Sequence, residues 1–286
     1  MISIRPAIRS DLPAVSRFLA ESFQGKKVEW YGRILNPSWA GSSPQLGFLL
    51  EDQGEVVGFI GAIWSEREIE DRNHVFYNMT SWCVKDGYRQ HSLKLLQSLI
   101  SRSDSTVTNF SASRDVCKIL QFYRFQELDT GKTVYSPLSR IPSLFMGKLP
   151  EMLIGVDAVY PQLTPVEQRI VDDHKFYSCF FILLRKNESR CFLIVLKRPF
   201  KQFYFADVLY CSDWELLGRW VPVALWAAWK ATGVFFLGVD NRFVIASSFF
   251  SFQRKRQTFF KSETLTPDRI DSLYSEFVPD FGYRGD

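Results

Sequence analysis

The order of apolar runs between residues 46 and 110 constrains this chain more than any single motif. Residues 46–51 and 56–64 are both strongly apolar, and the Asp52-Gln53-Gly54 step between them has the composition of a tight turn, so the pair reads as a β-hairpin. Residues 74–84 follow as a third strand, carried by Val75, Phe76, Tyr77, Thr80, Trp82 and Val84. The polar stretch 85–91 then leads into a helix predicted from Ser92, with Leu93, Leu95, Leu96, Leu99 and Ile100 as its apolar face. Residues 106–110 read as another strand, and 114–123 as a helix with Val116, Ile119 and Leu120 inward. Upstream, residues 2–6 form a short strand. A Ser10 or Asp11 N-cap with Pro13 in the first turn opens a helix that runs to about Phe23. Residues 26–43 read as a short helix and a loop. Strands and helices alternate without segregating, which is an α/β layout with a mixed sheet.

The same order returns later in the chain. Residues 137–165 hold five prolines and read as a joint between domains. Beyond it, strands are predicted at 176–184, 191–197 and 203–211, then a helix over 214–232 stopped by Gly233, then a strand at 234–239. Trp82-Cys83 and Tyr210-Cys211 each end a long aromatic strand, and the interval from Cys83 to Cys211 also carries Thr106 onto Val234. The two segments therefore overlay without a gap, a pattern of two tandem units over residues 1–140 and 150–286.

Composition narrows the function classes. At 46% hydrophobic and 23% charged residues the chain is an ordinary globular protein, not a disordered one. The 26 phenylalanines suit an aromatic core, with an apolar channel for an acyl chain as the alternative. A net charge of +4 calls for no nucleic-acid partner. The one dense basic stretch, Arg254-Lys255-Arg256 with Lys261, reads as a solvated strand or loop end, with phosphate contact as the alternative. Five scattered cysteines without a C-x-x-C spacing, and three scattered histidines (His74, His91, His174), form neither a zinc pattern nor a disulfide framework. No apolar leader opens the chain, and the longest uncharged apolar run, 220–229, is too short to span a bilayer. The reading expects a soluble, cytoplasmic protein with reduced thiols and no membrane span or metal.

The segment Gly87-Tyr88-Arg89-Gln90-His91-Ser92-Leu93-Lys94, placed between a strand and a helix, resembles the cofactor loop of the GNAT N-acyltransferase superfamily, whose form is Arg/Gln-x-x-Gly-x-Gly/Ala. The resemblance covers about residues 2–130 well and 176–250 more loosely. It implies two tandem GNAT-like units, each a mixed, mostly antiparallel sheet flanked by helices. It also implies that acetyl-CoA or a longer acyl-CoA binds at Arg89, Gln90, His91, Ser92, Leu93 and Lys94. A diphosphate suits a helix N-terminus because unpaired N–H groups and the positive end of the dipole meet there. Arg89 matches the motif, whereas Ser92 and Lys94 stand where the family has its small residues. Ser92 can cap the helix. Lys94 leaves three alternatives open: it blocks the approach of the phosphates, it reaches them with its ammonium, or it is a solvent-facing Lys on an ordinary helix.

The family's preceding strand also holds the pantetheine arm through backbone groups, here those of Trp82, Cys83 and Val84. Its later Asn-x-x-Ala-x-x-Leu-Tyr-x-x-x-Gly-Phe pattern aligns on residues ending Phe122-Tyr123-Arg124-Phe125, which puts Ser113 at the Asn position and Leu120 at the place of the usual Tyr acid. Tyr123 is the candidate substitute acid, with a packed core Tyr as the alternative. His91, Asp207 and His74 are candidate bases. Asp207 is read as either a buried carboxylate or an outward strand position. In the second unit, Ser212-Asp213-Trp214-Glu215 lacks the loop spacing and carries acids that repel a diphosphate, so that unit is expected not to bind coenzyme A.

The resemblance thus implies transfer of an acyl group from acyl-CoA to a small-molecule amine such as an amino sugar or amino acid. Two alternatives stand beside it. One is a GNAT-like ligand-binding or interaction protein without catalysis, and the other is an acyltransferase whose donor is an acyl carrier protein.

Overall fold

The computed structural model describes residues 1–282 apart from 24, 42, 44, 102–103, 130, 138–148, 201 and 244–256. The basic triplet Arg254-Lys255-Arg256 lies outside the described residues. The chain divides into two compact units. The first comprises Met1–Leu128 together with Gln257–Ile270 and Tyr274–Asp280, and the second comprises Asp129–Arg256, Asp271–Leu273 and Phe281–Asp286. No helix among the described residues is long and apolar enough to cross a membrane.

The first unit is built on a seven-stranded sheet. Its strands are β1 (Ser3–Ala7), β2 (Gly47–Asp52), β3 (Glu55–Ile69), β4 (Arg72–Val84), β5 (Ser105–Asn109) and β6 (Gln126–Asp129), with Gln257–Lys261 inserted between β5 and β6. The β4–β5 pair is parallel, while β1, β2, β3 and β4 pair antiparallel in turn. Helices α1 (Leu12–Ser22) and α2 (Val28–Leu35) cover one face, and α3 (Ser92–Ile100) and α4 (Arg114–Phe122) the other. Strand alternation explains this. Phe48 and Leu50 join Leu95, Leu96, Leu99 and Leu120 on the α3/α4 face, whereas Leu49 and Phe59 join Val15, Leu19 and Leu35 on the α1/α2 face. Gly47 has φ +136°, and a Cβ there would sit 2.0 Å from the Ile60 carbonyl oxygen, so the β2–β3 entry requires glycine.

The expected cap at the start of α1 is replaced by an ion pair. Asp11 occupies the N-cap position but makes no side-chain cap hydrogen bond. Its carboxylate instead accepts a fork from Arg5, at 2.8 and 2.9 Å, and the Ile8 amide at 2.8 Å.

The second unit holds a six-stranded sheet in which β7 (Lys132–Tyr135) forms one edge. The others are β8 (Glu151–Ile154), β9 (Cys179–Lys186), β10 (Ser189–Phe200), β11 (Phe203–Cys211) and β12 (Leu237–Asp240), in the order β7-β12-β11-β10-β9-β8. Again one pair, β11–β12, is parallel and the rest are antiparallel. A short helix, α5 (Val156–Val159), and α6 (Pro165–His174) precede β9. Helix α7 (Trp214–Thr232) packs Leu217, Val221, Ala224 and Ala228 on Leu193, Val195, Ala206 and Val208. It ends at Gly233 with φ +72°, the left-handed stop that the sequence predicts. It bends where Trp220 leaves helical geometry ahead of Pro222.

Two mixed, mostly antiparallel sheets flanked by helices are therefore present, as the resemblance implies. The gapless overlay is not. The step from the start of β5 at Ser105 to the start of β12 at Leu237 is longer than the step from Cys83 to Cys211, because α7 has 19 residues where the 3-10 turn Asp86–His91 and α3 have 6 and 9. The last strand (Gln257–Lys261, β13) belongs to the first sheet, and β7 belongs to the second.

Candidate active site

The parallel pair of the first unit stops early. β4 and β5 stay in register from Val75↔Ser105 to Asn78↔Thr108 and then part. Two amide side chains pin the point of separation. The Asn78 Nδ2 donates to Thr108 Oγ1 at 3.1 Å, and the Asn109 Nδ2 donates to the Met79 carbonyl at 3.4 Å. Both asparagines are buried. Neither is among the residues that the sequence singles out, although amides inside an apolar strand must find partners and so mark a specialised position.

Above this apex lies a cleft of about 230 Å³. Met79, Thr80, Ser81 and Trp82 of β4 line one side, and Asn109, Ser111, Ala112 and Ser113 the other. β4 bulges here. Thr80 faces Gly61 while Cys83 faces Phe59, so β4 carries one extra residue, and Ser81 takes the left-handed φ of +50°. Ser113 caps α4 by accepting the Val116 amide at 3.4 Å.

The predicted cofactor residues divide between two places. Trp82 and Ser113 line the cleft together. Cys83 turns to the α1/α2 side, and Val84 packs with the α3 cluster. Arg89 to Lys94 lie at the start of α3, where the expected loop is instead a 3-10 turn, Asp86–His91, that runs straight into the helix. Ser92 is helical and its amide donates to the Arg89 carbonyl, so it does not act as the cap. The physical reason is the lack of glycine at 92 and 94: nothing opens the turn, and its N–H groups bond backward. The Arg89 guanidinium pairs with Asp86 at 2.6 Å, and Gln90, Leu93 and Lys94 are exposed. His91 is half-buried.

The candidate acids and bases are scattered. Tyr123 follows the far end of α4, about 15 Å along the helix from Ser113. Its hydroxyl accepts from Gln97 Nε2 at 3.0 Å, and its carbonyl accepts from Lys261 Nζ at 3.0 Å. Tyr123 is thus half-buried and hydrogen-bonded at both its hydroxyl and its carbonyl. His74 sits at the other end of β4 from the cleft, with Nδ1 at 3.4 Å from Thr264 Oγ1. Asp207 is 0% exposed and clamped between Arg198 at 2.6 Å and Lys132 at 2.9 Å. It is therefore the buried carboxylate of the two sequence readings and not an outward strand position, and two largely buried cations hold its charge.

The second unit repeats the architecture with a different mouth. β11 also bulges, with Leu209 inserted between Val195↔Val208 and Ile194↔Tyr210, and β11 and β12 share only two parallel pairs. Here Asp213 caps α7, accepting the Leu216 amide at 2.9 Å, and the Trp214 and Phe243 rings stack at 4.2 Å and 7°. No cluster of three metal-ligating side chains occurs among the described residues.

No family model matches the sequence, and no curated protein matches it. Solved structures do. The chain is similar to a GCN5-related N-acetyltransferase from Anabaena variabilis, with a TM-score of 0.56 at 8% identity over 91% of this chain and 72% of that one. It is similar to one from Kribbella flavida, at 0.56 and 12% over 91% and 70%. Eis1 from Mycobacterium abscessus follows at 0.52 and 10% over 92% and 73%. The fold is therefore that of the GCN5-related N-acetyltransferases, the class that the segment around Arg89 resembles.

Proposed function

We propose that this chain transfers an acyl group from acyl-CoA to a small-molecule amine, and that the first unit carries the site. The observation that supports it is the cleft at the parting of β4 and β5, on an acetyltransferase fold. Backbone groups at the β4 bulge and near Ser111 lie beside this opening, where an extended amide-bearing arm can pair as a substitute strand. The reaction is attack of a neutral amine on the thioester. The protein's part is to hold the two in line and to set donors at the oxygen that gains charge. The second unit takes no coenzyme A in this reading. Its helix N-terminus already carries the Asp213 carboxylate, which satisfies one amide and repels a diphosphate.

An amino sugar is one acceptor class worth testing first. A similar fold (TM-score 0.53, 13% identity, 38% of that chain) occurs in a glucosamine N-acetyltransferase region of a fungal β-N-acetylglucosaminidase. The worn start of α3 favours a second reading, a ligand-binding protein without turnover, since Ser92 offers its amide to Arg89 and not to a phosphate.

Calorimetric titration with acetyl-CoA and longer acyl-CoA, beside an Ala112→Trp variant that fills the cleft, tests the proposal. Saturable binding lost in the variant supports it. A screen of amines, starting with glucosamine, then separates transferase from binding protein. Absence of binding to every acyl-CoA overturns the proposal.

A further inference from the structure

The apolar run 220–229 has no part in the proposed function. A helix that lies on a sheet needs one apolar face and turns a polar one to water. Helix α7 breaks that pattern: between Arg219 and Lys230 it carries no charged side chain. Its sheet side is accounted for by Val221, Ala224 and Ala228, which join the core of the second unit. Trp226 lies on the opposite side of the helix from Ala224 and Ala228 and is 49% exposed. Phe235, just past the helix end, is 52% exposed.

These outer rings are grouped. Trp226 and Trp229 have centroids 4.7 Å apart, and Trp229 and Phe235 stack at 5.3 Å and 20°. They line a cavity of about 460 Å³ together with Pro222 of the helix and with Pro150 and Met152 at the β8 edge, all within the second unit. Its volume is twice that of the cleft in the first unit and falls in the range of small-molecule sites, about 300–1,000 Å³. Apart from the indole N–H groups, Ser136 supplies the only polar side chain among the described lining residues, and none of them is charged. A sugar or a nucleotide would lose its water there with little to replace it, whereas a hydrocarbon chain gains with every methylene it buries.

One charge stands beside the rings. Lys230 is one helical turn on from Trp226, with its Nζ 5.6 Å from that ring's centroid. Among the described residues it has no carboxylate within ion-pair reach. A single cation next to an apolar cavity complements a single anionic head on an apolar tail.

We infer that the second unit holds a site for one hydrocarbon chain ending in a carboxylate, that is, a medium- or long-chain fatty acid. The chain lies against Trp226, Trp229, Phe235 and Met152, and the head meets Lys230. This site is independent of the acyl-CoA cleft: it lies in the other unit and takes another ligand.

Titration calorimetry with octanoate, decanoate and dodecanoate is the test. Each added methylene is expected to tighten binding about threefold. Trp226→Asp sets a charge in the wall at a position that water already reaches, and decanoate affinity is expected to fall at least about tenfold. Phe235→Asp does the same from the far end of the ring row, should Trp226→Asp fail to fold. Lys230→Glu is expected to weaken decanoate about threefold and to leave decan-1-ol, which has the chain without the charge, unchanged.

No binding of the three acids by the wild type overturns the site. Binding without a chain-length trend, or undiminished in the aspartate variants, overturns it too. An equal loss for decanoate and decan-1-ol in Lys230→Glu overturns the assignment of the head. Sedimentation of the wild type reads the rival occupant: a dimer that Trp226→Asp dissociates and decanoate does not would make the ring row a contact between two copies of the chain, and this also overturns the fatty-acid site. Every titration omits coenzyme A, so failure here leaves the acyl-CoA proposal standing, and failure of that proposal leaves this site standing.

Discussion

The two units share a plan and differ at the mouth. Each has a bulged central strand, a helix, and a parallel partner that soon diverges. In the first, Asn78 and Asn109 tie β4 to β5 at the point where the strands part, and a cleft with both polar and apolar walls opens above it. In the second, a stacked Trp214–Phe243 pair and a carboxylate cap occupy the corresponding helix start. In the function proposed here the second unit keeps the backbone scaffold without the diphosphate site, which would make fold and site separable properties.

The largest test of this contrast concerns buried charge. Asp207→Asn leaves Arg198 and Lys132 buried without their counter-charge, and we expect a loss of about 3–5 kcal/mol in urea unfolding, reported by the second unit. If acyl-CoA binding survives at temperatures where the variant is folded, the site belongs to the first unit alone. Next in size, Ala112→Trp should weaken acetyl-CoA binding at least about a hundredfold, roughly 2.7 kcal/mol. Trp214→Ala with Phe243→Ala should create no binding, because the Asp213 carboxylate remains. Gain of coenzyme A affinity in that double variant would show the aromatic stack to be the sole barrier.

Smaller effects sharpen the comparison of helix starts. Asp213→Ala removes a working cap and should cost about 1 kcal/mol. Ser92→Ala, at the start of α3, should cost little, since Ser92 caps nothing. Equal costs would contradict the different geometries. The smallest is a pH effect at Asp11. The hydrogen bond from Arg5 holds this carboxyl below its ordinary value. A depressed folded-state pKa adds stability that is complete above the unfolded value of about 4 and disappears as pH falls through the folded one. The melting temperature should therefore decline more steeply below about pH 4 in the wild type than in Asp11→Asn, read by calorimetry at stepped pH.

Much of this architecture is legible in the sequence, because apolar periodicity over long segments is a local record of burial. The helix 214–232 and its stop at Gly233 emerge as predicted, as does the strand at 203–211. The exchange of β7 and β13 is not legible. Such short strands carry little pattern, and their partners lie far along the chain. The cleft is half visible. The resemblance reaches Trp82 and Ser113 but not Asn78, Thr108 and Asn109, because a buried amide announces itself only once its neighbours are known. Tyr123 and Asp207 show a related limit: titratable residue type is visible in a sequence, but the partners beside it, Gln97 for Tyr123 and Arg198 for Asp207, are not.

The exchanged strands also set a schedule. A ribosome that has released the chain through Leu128 has delivered β1 to β5 but not β13, the strand that pairs with β5 at Phe259↔Asn109 and Phe260↔Thr108. Until Gln257–Lys261 emerges, β5 presents a bare edge, the kind of template on which nascent chains stick to one another. Completion of the first sheet thus waits until all the strands of the second sheet have been made. Truncation before residue 257 removes β13 and leaves β6 without its neighbour in the sheet, although every residue of the cleft is still present.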